Sequence, residues 1–211
     1  MVLGDELEVE FESGRNLEIN IHAENRVFRA SKFMLSSRSS VFRAMFSNNF
    51  EENRTNSIYI KIFEPHLVEK MLSHVHTDRI NGLDVKSAIE LYDLADYYDI
   101  KQLKIKCAEF LVSKLNLDNG LACMKLFRKY ENDVELNYLG TLAWVLLSND
   151  LNISTYYKYY LLGEQHKTLD FDISVIGFIQ NNFWEVVKTY EWKKLPAEYR
   201  LEMFETQMEN P

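Results

Sequence analysis

Two hydrophobic periods divide the chain. From Leu17 to Ile21, apolar and polar residues alternate every second position (Leu17-Glu18-Ile19-Asn20-Ile21), the signature of a half-buried strand. Asn25-Arg26 turns the chain into Val27-Phe28-Arg29-Ala30, and the pair reads as a β-hairpin. Ser31 to Ser37 predicts a short helix carrying Phe33, Met34 and Leu35. A second helix begins at Ser40 with Val41, Phe42, Met45 and Phe46 on one face, and Asn48-Asn49 breaks it. Ser57-Ile58-Tyr59-Ile60, β-branched and aromatic, predicts a third strand.

Beyond residue 64 the period lengthens to that of a helix packed on one side. Pro65 suits a first turn, where its missing N–H costs nothing. The stripes that follow are Leu67, Val68, Met71, Leu72 and Val75; then Ala88, Leu91, Tyr92, Ala95 and Tyr98 behind an Asp84 cap; then Ile100, Leu103, Cys107, Phe110 and Leu111. A further stripe, Leu121, Ala122, Met124 and Phe127, stands behind Asp118 as its cap. Past residue 131 the pattern is less regular. Val134 to Leu147 is strongly apolar, and Tyr156, Tyr157, Tyr159 and Tyr160 form a patch before a break at Gly163. Ile173 to Val187 predicts another helix, and Pro196 opens a last one with Tyr199, Met203 and Phe204. The pattern implies an α+β part followed by an all-α part, with the change near residues 116–118.

Composition narrows the function. The 211 residues carry 24 Lys and Arg against 32 Asp and Glu, a net charge of −8, which argues against nucleic-acid binding by bulk electrostatics. Seven Gly and three Pro leave little loop chemistry. Cys107 and Cys123 sit at helical spacing among apolar residues and read as reduced core thiols. The acidic start, Met1-Val2-Leu3-Gly4-Asp5-Glu6, has no secretory signature, and no apolar run reaches the ~18 residues of a membrane span. The expected location is the cytosol or nucleus, with no membrane partner.

Catalytic patterns are absent. No Gly-rich phosphate loop, dinucleotide fingerprint or Gly-x-Ser-x-Gly elbow occurs, so the expectation is a non-catalytic protein without cofactor. His74-Val75-His76 places two imidazoles on divergent faces of a helix with no carboxylate or thiol to complete a metal set; they read as surface or helix-end histidines. The tyrosine patch reads as core or interface packing, with ligand stacking as the alternative.

From Leu17 to Leu115 the chain resembles the BTB/POZ family. The likeness is carried in order by Leu17-Glu18-Ile19-Asn20-Ile21, Phe28-Arg29-Ala30-Ser31-Lys32, the run Leu35 to Phe46, Ile58-Tyr59-Ile60, Val68 to Leu72 with Thr77-Asp78, and Leu91-Tyr92-Asp93-Leu94-Ala95-Asp96-Tyr97-Tyr98 followed by Leu103-Lys104 and Cys107. It is similar to the speckle-type POZ group in particular. The resemblance implies a small sheet flanked by helical hairpins over residues 1–116. Residues 117–211 resemble the all-α BACK region, through Phe178 to Val187 and Leu195-Pro196-Ala197-Glu198, with an insertion near 148–172.

The resemblance also implies a function: an adaptor holding a protein substrate on the cullin-3 ubiquitin ligase. The family's hydrophobic-x-Glu motif is matched by Phe50-Glu51-Glu52, so Phe50 and Glu52 are the expected cullin contacts, completed by the turn at Tyr98-Asp99. The alternative is a homodimerising scaffold without a ligase role. In relatives that recruit co-repressors, an acidic strand residue and a basic residue line a charged pocket; Glu18 and Lys32 stand at those positions, and Ser31 replaces the usual His. Homodimerisation is a family expectation, and the alternation of Leu7, Val9 and Phe11 suggests a strand in the N-terminal segment.

Overall fold

A hairpin and one parallel strand make the sheet. Strand β1 (Glu18–Ala23) pairs antiparallel with β2 (Arg26–Ser31) and parallel with β3 (Ser57–Ile60), in the order β2-β1-β3. The structure is a computed structural model that describes residues 18–47, 51–166 and 169–209, with side chains described over the same residues except 51, 53, 162–173 and 209. Leu7, Val9 and Phe11, the Asn48-Asn49 break and Phe50 lie outside the described residues.

The period-two reading sets the sheet's faces. Ile19, Ile21 and Ala23 are buried, while Glu18 and Asn20 are exposed. The parallel register puts Ile58 beside Ile21 and Ile60 beside Ala23, so one apolar layer spans both strands. Fully burying an isoleucine contributes roughly 1.5–3 kcal/mol. Glu24 makes the hairpin turn with φ +46°, a left-handed conformation.

Among the described residues six helices complete the first half: α1 (Lys32–Arg38), α2 (Ser40–Phe46), α3 (Glu51–Thr55), α4 (Pro65–Thr77), α5 (Val85–Tyr97) and α6 (Lys101–Lys114), with α7 (Gly120–Lys129) opening the second. Short side chains set their starts. Ser31 accepts from the Met34 N–H at α1, Ser39 from Phe42 N–H at α2, and Asp84 from Ser87 N–H at α5. Each satisfies an otherwise orphaned donor. The predicted stripe of α4 and that of α5 are both buried, and α5 and α6 pair as a hairpin.

The chain divides into two compact units, Met1–Lys114 and Leu115–Pro211. In the second, α7 pairs with α8 (Asn137–Asn149), and α9 (Tyr156–His166) with α10 (Leu169–Asn181). A single turn, α11 (Phe183–Val186), and α12 (Ala197–Glu209) follow. Gly140 on α8 marks the close approach of the first pair: a Cβ there would lie 2.5 Å from the Phe127 ring.

Several expectations need correction. Asp118 caps nothing. The loop before α7 is closed instead by Asn116 and Asn119, whose side-chain carbonyls accept each other's backbone N–H at 3.2 and 2.9 Å. The buried face of α7 is Gly120, Cys123, Met124 and Leu126, while Leu121, Ala122 and Phe127 are only partly covered. Gly163 does not break α9, because a helix carries a glycine at a cost of only about 1 kcal/mol. The helix expected over Ile173 to Val187 is split at Asn182, whose side-chain N–H donates to the Phe178 carbonyl at 2.9 Å. His74 is no surface residue. It stands in the last turn of α4, fully buried, and neither ring nitrogen has a hydrogen-bond partner among the described residues.

A candidate interaction surface at the serine-pinned turn

The end of α5 and the start of α2 are locked together by two adjacent serines. Ser39 Oγ donates to the Tyr98 carbonyl, and Ser40 Oγ donates to the Asp99 carboxylate. Asp99 takes a left-handed φ of +49°, which turns the chain sharply, and Ile100 N–H returns to the Ala95 carbonyl at 2.8 Å. Such closures satisfy the carbonyls that a helix end leaves open. Beneath the turn, Tyr98 stacks on Phe42 with centroids 4.6 Å apart, and Phe42 stacks on Phe46 at 6.2 Å.

This geometry separates two neighbouring tyrosines. Tyr98 is 3% exposed and belongs to the core, as its place in the α5 stripe implied, and burial pushes its hydroxyl pKa up. Tyr97, about 100° round the helix, is 55% exposed and meets Phe63 edge-on at 5.7 Å. The ring offered to solvent at this turn is therefore Tyr97, which sequence reasoning passed over although the helical period placed it on the outer face. Asp99 is exposed beside it. Glu52, on α3, is half-buried, and α3 packs on α2, so the serine-pinned helix also supports the segment that carries Glu52.

Glu18 and Lys32 do not pair with each other. Glu18 forms its ion pair with Arg29, which lies diagonally across the exposed face of the hairpin because Glu18 stands opposite Ser31 and Asn20 opposite Arg29. Lys32 begins α1, and its ammonium lies 5.8 Å from the centre of the Phe46 ring. Asp78, in the Thr77-Asp78 turn, does gather charges. Lys106 donates to its carboxylate at 2.8 Å and Arg38 at 3.1 Å, and these bonds hold its pKa below the ordinary carboxylate value. His74 sits 3.7 Å away from that carboxylate. Desolvation, reinforced by Lys106 and Arg38, holds the imidazole's pKa down at about 4 despite Asp78.

Both cysteines are buried free thiols, and burial pushes Cys107 up to about 12 and Cys123 to about 11. A thiol so far above neutrality is a packing group, not a nucleophile. Among the described residues no helix is long and apolar enough to cross a membrane.

The family model for the BTB/POZ domain matches residues 7–115. The chain belongs to the BTB/POZ family. Its α+β sheet with surrounding helices is the BTB fold. Among solved structures it is similar to the BTB domain of zebrafish PATZ1, at 18% identity and TM-score 0.40, over 51% of this chain and 86% of that one. It is likewise similar to the BTB domain of human gigaxonin, at 18% identity and TM-score 0.40, over 50% of this chain and 87% of that one. BTB domains are protein-interaction modules, generally non-catalytic, that mediate dimerisation and partner binding. The serine-pinned turn, with an aromatic ring and a carboxylate on its outer side, fits that use.

Proposed function

We propose that this protein is a substrate adaptor of a cullin-3 ubiquitin ligase, acting in the cytosol or nucleus. Its BTB domain binds the cullin, and its second unit, which shares motifs with the BACK region, holds a protein to be ubiquitinated. Speckle-type POZ proteins are the subgroup whose motif order the first half follows. The observation that carries the reading is the conjunction at α2. Phe50-Glu51-Glu52 follows this helix in sequence, and two serine bonds tie the same helix to the turn presenting Tyr97 and Asp99. An exposed aromatic that fills an apolar groove on a partner is a typical hot spot, worth roughly 2 kcal/mol or more. Glu52 and Asp99 give the surface an acidic character that selects a basic rim on the cullin. Homodimerisation through the BTB domain is part of the same proposal.

A pull-down on the immobilised N-terminal region of cullin-3 tests it. Wild type is retained, and the Phe50→Ala, Glu52→Ala double variant is lost. A chain that self-associates in light scattering yet is never retained is a scaffold module instead.

A further inference from the structure

The tyrosine run of α9 resolves into core and surface by the helical period. Tyr156, Tyr159 and Tyr160 are buried at i, i+3 and i+4, while Tyr157 falls off that stripe and is only partly covered. Tyr157 lines an open groove of about 430 Å³ within the second unit, together with Leu121 and Lys125 of α7, Lys158 and Leu161 of α9, and Glu191. Leu161 is 43% exposed, so the floor keeps apolar area in contact with water.

The charge around that floor opposes the charge of the chain. Lys125 and Lys158 rim the groove, and neither has a carboxylate partner among the described residues. Lys194 stands over the Tyr157 ring at 5.4 Å and over the exposed Tyr190 ring at 4.5 Å. Among the described lining residues the one carboxylate, Glu191, lies 3.7 Å from Lys194. Among the described residues, three lysines against one carboxylate make a basic patch on a protein of net charge −8. A long polyanion such as nucleic acid is repelled by the rest of the surface, whereas a short segment meets only the local field, which decays within about 10 Å at ordinary salt. The groove is too open to enclose a small molecule.

We propose that this groove docks a short acidic segment of a partner protein, with a leucine or phenylalanine seated on Tyr157 and Leu161 and its flanking Asp or Glu residues on Lys125, Lys158 and Lys194. The site belongs to the second unit, whereas the proposed cullin surface belongs to the first.

A fluorescein-labelled peptide, Glu-Asp-Glu-Leu-Phe-Asp-Glu, titrated with the full chain and read by anisotropy, tests the proposal. Saturable binding is expected at low salt. It should weaken about tenfold in the Lys125→Glu, Lys158→Glu double variant, since each reversal turns an attraction into a repulsion. Lys86→Glu, an exposed lysine of the first unit, serves as the control and leaves binding unchanged. A peptide with glycines in place of Leu-Phe should bind about tenfold more weakly. Both lysine variants are surface changes, and Leu161→Asp provides an independent loss at the apolar floor. The proposal is overturned if the peptide does not bind, if the double variant binds it equally, or if the glycine peptide matches the parent. It is also overturned if the double variant abolishes self-association of the chain, which would make a second copy the occupant. Retention of the double variant on the cullin keeps this outcome distinct from failure of the adaptor reading.

Discussion

One buried polar group in each unit makes a contrast: His74 in the first and the tyrosines of α9 in the second. The first buries His74 and gives its imidazole no hydrogen bond, so desolvation, reinforced by Lys106 and Arg38, keeps the ring neutral with its pKa held down at about 4. The second buries phenols and satisfies them: Tyr156 and Thr189 share a hydrogen bond of 2.8 Å, and Tyr159 donates to the Asp150 carboxylate at 2.6 Å. A buried polar group is costly only when unpaired. The first unit therefore carries a proton-dependent weakness, and the second relies on a few geometric matches.

Deleting the aromatic link in the first unit should have the largest effect. Phe42→Ala removes the ring stacked between Phe46 and Tyr98 and leaves a cavity, which should cost about 3–5 kcal/mol in urea unfolding. Next comes acid. Unfolded, His74 titrates near 6.5; folded, it holds its proton only below about 4. Between those values the unfolded chain binds the proton and the fold does not, so stability is complete above pH 6.5 and falls as the pH drops toward 4, by about 3 kcal/mol. Desolvation sets most of the effect; of the charges facing the ring, Lys106 and Arg38 add to it and Asp78 opposes it. Melting curves across this range should slope in wild type and flatten in His74→Phe; a slope retained by the variant would place the acid sensitivity elsewhere.

The second unit should respond to shape and then to single bonds. Gly140→Ala drives a methyl into the Phe127 ring and should cost about 2 kcal/mol, read as a lowered urea midpoint. Tyr159→Phe should cost about 1 kcal/mol, because Asp150 loses a partner but keeps access to water. If Tyr159→Phe proves as damaging as Phe42→Ala, the contrast between the units fails.

The same contrast explains what was readable beforehand. In the first unit, strand alternation and the stripes at Leu67 to Val75 and Ala88 to Tyr98 map directly onto burial, because each element packs on one side. The sequence motifs pointed to the Tyr98-Asp99 turn, but the serine bonds that pin it join residues 59 apart and have no local signature. The choice of Tyr97 over Tyr98 was available from the helical period alone. In the second unit, α8 and α10 are apolar on more than one side, so their boundaries blur. Glycine, usually a stop signal, sits within α9, and the start of α7 depends on a reciprocal pair of asparagines that reads as an ordinary loop.

Binding to cullin-3 tests the central claim most directly. In calorimetric titration of its N-terminal region into the full chain, wild type should bind saturably. The Phe50→Ala, Glu52→Ala variant should bind about thirtyfold more weakly, and the Lys125→Glu, Lys158→Glu variant should match wild type. Absence of binding by wild type, or binding indifferent to Phe50 and Glu52, would contradict the account.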